Sequence, residues 1–139
     1  MENTKYAYRI DVPIDFDTAV DKTTEALSHE GFGVLTEIDV KATLKKKLDV
    51  EFRKYRILGA CNPPLAHKAL LVEDDIGLLL PCNVVVAEID DDTTRIAAVD
   101  PRAAMTIAGN SAVEPIAADV AEKLKRVITA LEKSVVQKQ

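Results

Sequence analysis

Two cysteines each stand beside an asparagine and a proline, as Cys61-Asn62-Pro63 and Pro81-Cys82-Asn83. Thiols and carboxamides brought together suit three kinds of chemistry: a thiol-dependent redox pair, a soft-metal site completed by His67, or a site for a small anionic or thiol-reactive ligand. The prolines at 63 and 64 can open a helix, and the positive end of a helix favours an anion, a thiolate included. Structural zinc takes three or four ligands at tight spacing, whereas Cys61, His67 and Cys82 are only three residues, separated by five and fourteen others. A redox dithiol usually presents Cys-x-x-Cys, which this sequence lacks. Cys61, Asn62, His67, Cys82 and Asn83 are therefore the candidate ligand-binding residues, with no metal assigned and with cofactor and catalytic residues left open. Free cysteine is also among the most often buried residue types, so inert packing is the competing use of both thiols.

Whether the two thiols meet depends on topology. Cys61 lies at the exit of one expected strand and Cys82 at the entrance of the next major one. If those strands are antiparallel neighbours, exit and entrance fall at the same end of the sheet; if they are parallel, the sulfurs lie at opposite ends.

The elements follow from periodicity. Residues 5–12 alternate as a strand that Pro13 ends, and Asp15 can cap a helix over roughly 15–30, stopped by Gly31. Gly33 to Ile38 reads as a second strand. Val40, Leu44 and Leu48 recur four apart among lysines, which marks a short amphipathic helix. Phe52 to Ala60 returns to strand character, and the helix after Pro64 carries Leu65, Ala66, Ala69, Leu70 and Val72. Ile76 to Leu80 is an apolar run broken by Pro81. Asn83 to Ile89 and Thr94 to Val99 form a hairpin through the acidic tip Asp90-Asp91-Asp92-Thr93. The stretch after Asp100-Pro101 lacks a period. A helical stripe from Val113 through Ile116, Val120, Leu124, Val127, Ile128, Leu131 and Val135 then predicts a long helix over 113–136. Its start is set either by a capping box of Ser111 with Glu114 or by Pro115 near the first position.

The order β-α-β-α-β-α-β-β-α predicts an α+β fold, a mixed or antiparallel sheet with helices packed on one face, as a single domain over 1–139. A sheet covered on one face leaves the other to be buried, and pairing with an identical chain is the simplest way to bury it, so a homodimer is expected.

Composition bounds the function. At 139 residues, 47% hydrophobic and 29% charged, the chain is globular rather than disordered. A net charge of -5, no Trp and six aromatics leave little for phosphate attraction or base stacking, so neither nucleic acid nor a membrane surface is an expected partner. Met1 to Lys5 lacks the layout of a secretory signal, and no apolar run approaches the ~18 residues of a membrane span. A cytoplasmic setting with reduced thiols is expected.

Other motifs are weaker. Seven basic residues lie between Lys41 and Arg56, which supports an alternative function as a protein-interaction module whose basic surface meets an acidic partner. Asp90-Asp91-Asp92 lacks the ligand spacing of a calcium loop, and His29 before Gly31 reads as structural. Gly31-Phe32-Gly33 is not a dinucleotide fingerprint, and no Walker loop, nucleophile elbow or zinc-protease motif occurs.

The run Tyr55-Arg56-Ile57-Leu58-Gly59-Ala60-Cys61-Asn62-Pro63-Pro64, followed by Leu79-Leu80-Pro81-Cys82-Asn83-Val84-Val85-Val86, resembles the uncharacterised prokaryotic family catalogued as domain of unknown function 302. Asp100-Pro101 and Met105 are similar to that family's later motif. The resemblance implies a compact α+β domain, similar to members that associate as homodimers, and it implies no settled reaction. The matching residues, Cys61, Asn62, Pro63, Pro81, Cys82, Asn83, Asp100 and Pro101, are signature positions without an assigned role.

Overall fold

A computed structural model describes residues 1–136. Six strands form one sheet in which every pairing is antiparallel: β1 (Glu2–Asn3), β2 (Ala7–Val12), β3 (Gly33–Asp39), β4 (Tyr55–Cys61), β5 (Cys82–Asp90) and β6 (Thr93–Val99). Their order across the sheet is β1-β2-β6-β5-β4-β3. The helices are α1 (Phe16–His29), α2 (Val40–Leu48), α3 (Pro63–Val72), α4 (Pro101–Met105) and α5 (Glu114–Val136). The α+β class holds, and the sheet is antiparallel throughout rather than mixed.

Alternation decides which face is covered. Tyr8, Ile10 and Val12 of β2, Thr94, Ile96 and Ala98 of β6, and Val84 and Val86 of β5 are buried, and α1 and α5 supply the opposing layer. Asp15 caps α1 by accepting from Thr18 N at 3.3 Å. At its other end Gly31 takes φ +84°, its N–H reaches Ser28 O, and the Phe32 N–H reaches Leu27 O. That is a Schellman stop, and its two apolar members, Leu27 and Phe32, are both buried in the main core. The stripe of α5 packs as its period predicts, with Val120, Leu124, Val127, Ile128 and Leu131 buried.

Four differences from the periodicity have local causes. Helix α2 forms, capped by Asp39, but its stripe is only partly covered: Val40 and Leu44 are half-buried and Leu48 is 66% exposed. The apolar run 76–80 falls in a 3-10 turn (Asp74–Leu79) that plugs Ile76 into a second small core with Ala69, Met105, Val113 and Ala117. The aperiodic stretch after Asp100 contains α4, a helix too short to show a period, with Asp100 accepting from Arg102 N and Pro101 in its first turn. At the start of α5, Pro115 wins over the Ser111 capping box: the helix begins at Glu114, and Asn110 Oδ1 holds the preceding turn through Ala112 N at 2.9 Å.

Candidate ligand-binding site

The antiparallel case applies to the two cysteines. In the β4/β5 ladder Ala60 lies opposite Cys82, and Cys61, the last residue of β4, lies opposite Gly33 of β3. Both thiols therefore reach the same end of the sheet. Both also line one cavity of about 300 Å³, together with Phe32 after α1, Leu65 of α3 and Ile116 and Val120 of α5. Among the described residues that line it, none is charged.

The buried polar side chain at its rim, Asn62, is already engaged. Asn62 is 9% exposed; its Oδ1 accepts from Leu65 N at 3.4 Å and its Nδ2 donates to Glu30 O at 3.2 Å. It is the N-cap of α3. The expected anion site at this helix start does not form, for a reason of covalent structure. Pro63 and Pro64 occupy the first turn and have no N–H, Leu65 N is held by the Asn62 side chain, and Ala66 N donates to Asn62 O at 2.9 Å. No backbone donor of that turn is left for an anionic ligand.

The thiols differ from each other. Cys82 is buried, and burial, with a smaller contribution from the neighbouring Cys61, pushes its pKa up to about 11. At neutral pH it is a protonated, apolar wall rather than a thiolate. Cys61 is half-buried at the cavity edge. His67 is exposed on α3 and does not line the cavity, and Asn83, paired with Gly59 across the ladder, is exposed in a neighbouring hollow. The structure thus brings Cys61, Asn62 and Cys82 together and leaves His67 and Asn83 outside. Among the described residues, no group of three or more His, Cys, Asp or Glu side chains is placed to hold a metal ion.

Sequence reasoning missed Met105 as a cavity wall and Gly59 as a packing point. A Cβ at Gly59 would overlap Thr36 Oγ1 and come within 2.8 Å of Pro81 Cγ, so only glycine lets β3 and Pro81 close over β4 there. The glycine inside the apolar run Ile57-Leu58-Gly59-Ala60 was the available signal.

Three residues of the basic run, Lys41, Lys45 and Arg56, pair with carboxylates within the fold. Lys45 pairs with Asp49 and Glu51 at 2.9 and 3.0 Å, and both carboxylates hold its pKa above the usual lysine value. Lys41 donates to Phe52 O, Arg56 bonds Glu37 at 3.1 Å, and Arg53 stacks over Phe52 and Tyr55.

With the geometry in place, comparison with known proteins decides the family. The family model described as domain of unknown function DUF302 matches residues 8–131. The chain belongs to the DUF302 family. A crystal structure of an uncharacterised conserved DUF302 protein from Bacillus stearothermophilus is similar to it at 30% identity and a TM-score of 0.83, covering 91% of this chain and 98% of that one. No curated protein matches. Within this DUF302 chain several signature positions have structural work. Asn62 and Asp100 cap helices, Pro63 and Pro101 open them, and Pro81 packs over Gly59. Among the described residues, no helix is long and apolar enough to cross a membrane.

Proposed function

We propose that this DUF302 domain binds a small, uncharged, apolar molecule in the cavity between Cys61, Cys82 and α3. The observation that carries this reading is a hollow of roughly 300 Å³ that the chain lines without a single charged side chain and with both thiols on its wall. Hydrophobic burial supplies the affinity, and Cys61 at the edge offers the one soft, half-accessible contact. The same proposal places the protein in the cytoplasm, with reduced thiols, as a homodimer that covers the outer sheet face.

The alternative reading, an interaction module using the basic surface, has less to support it, because Lys41, Lys45 and Arg56 already pair with carboxylates of the same chain. A thiol redox function is weakened by the high pKa of Cys82, which leaves little thiolate to act as a nucleophile at neutral pH.

The test is fluorescence of N-phenyl-1-naphthylamine, an uncharged probe that brightens in apolar surroundings. Saturable enhancement is expected with the wild-type protein and should be lost in Ala66→Phe, which fills the cavity from its half-buried wall. No enhancement with the wild type, or an equal one in a folded Ala66→Phe, would contradict the proposal.

A further inference from the structure

Met105 lines the Cys61/Cys82 cavity and also two further hollows, of about 250 and 200 Å³. The smaller one shares Leu80, Pro81 and Cys82 with the main cavity as well. The larger lies beyond Met105 toward Val113 and Ala117, with Arg102 and Glu114 also on its wall. A single side chain therefore stands between three adjoining spaces, and its type suits movement. Methionine is unbranched, turns about three bonds and adapts to irregular gaps. Met105 also belongs to the small core with Ala69, Ile76, Val113 and Ala117, separate from the cluster that packs on the sheet. Its rotation disturbs that small core and leaves the sheet packing in place.

We infer that Met105 is the end wall of the binding cavity and sets the length of an unbranched, uncharged hydrocarbon chain bound there. The inference rests on the ligand-binding reading above and narrows its preferred ligand to one with a linear chain, favoured over a branched chain of equal carbon count. A chain entering past Cys61 fills the main cavity first and, when longer, displaces Met105 into an adjoining hollow.

Calorimetric titration with straight-chain primary alcohols, from hexanol to dodecanol, tests it. In the wild type, affinity rises about fourfold per added methylene while each new carbon stays buried, and then levels. Met105→Ala should carry the rise to longer chains and Met105→Phe should end it sooner. Met105→Leu, a volume-conserving change that folds with little cost, should move the plateau by about one carbon. A branched alcohol of equal carbon count should bind more weakly than the straight one. A plateau at the same length in all folded variants, or equal binding of branched and straight isomers, overturns the assignment of Met105 while leaving the cavity as a binding site. Absence of any alcohol binding to the wild type removes both.

Discussion

Asn62 Nδ2 donates to the Glu30 carbonyl at 3.2 Å, so the residue that caps α3 also fastens the end of α1. The neighbouring Gly31 has φ +84°, and a Cβ there would come within 3.1 Å of Asn62 Nδ2, which keeps the junction tight. Asn62→Ala removes a cap and leaves a carbonyl without its donor; the expected loss is about 2 kcal/mol in urea unfolding. Asn62→Ser keeps a capping oxygen and loses the amide donor to the Glu30 carbonyl, so it should fall between the two. Equal stability of Asn62→Ala and wild type would show that the junction carries no weight.

Gly59 should tolerate no side chain. Gly59→Ala pushes against Thr36 and Pro81 and is expected to cost about 1–3 kcal/mol. Adding Thr36→Ala relieves one of the two contacts and should recover part of that loss, a coupling that a double-mutant cycle reads directly. Strict additivity of the two changes would place the strain elsewhere.

The high pKa of Cys82 makes stability depend on alkaline pH. Its folded value is about 11 against roughly 8.5 for an unfolded cysteine, so the neutral thiol is favoured in the fold. That contribution is fully present below about pH 8.5 and is lost as pH rises through 11, a decline on the order of 3 kcal/mol. Urea midpoints measured from neutral pH to pH 11 should fall more steeply for the wild type than for Cys82→Ala. Parallel curves would mean that Cys82 titrates normally. Alkylation at neutral pH should likewise label Cys61 well before Cys82.

Much of this was legible in the sequence for physical reasons that can be named. The Asp90 to Thr93 tip joins two alternating runs, and the stripe from Val113 to Val135 is long enough to show its period. The shared end of Cys61 and Cys82 followed from strand boundaries once the strands were antiparallel neighbours. Strand β1 and helix α4 are too short to leave a pattern; β1 exists because Glu2 and Asn3 pair with Arg9 and Tyr8. The loss of the anion site was in principle readable, since Pro63 and Pro64 bring no N–H. The cavity was not, because a void arises from side chains distant in sequence, here from Phe32 to Val120.

The proposed homodimer is expected to use the outer face of the sheet. There Ile38, Ile57, Val85 and Ala97 lie side by side across four strands, in ladder positions that point away from α1 and α5. Light scattering after size exclusion should give a dimer, and Val85→Asp, which sets a charge mid-face, should yield folded monomers. A Val85→Asp dimer of unchanged stability would put the interface on another surface.

The ligand cavity itself is tested most directly by amide chemical shifts of the labelled protein during titration with octanol. Saturable shifts concentrated at Phe32, Cys61, Leu65, Cys82 and Ile116 are the expected result. A titration that never saturates, or one whose shifts gather on the outer sheet face instead, would contradict a binding site at this end of the molecule.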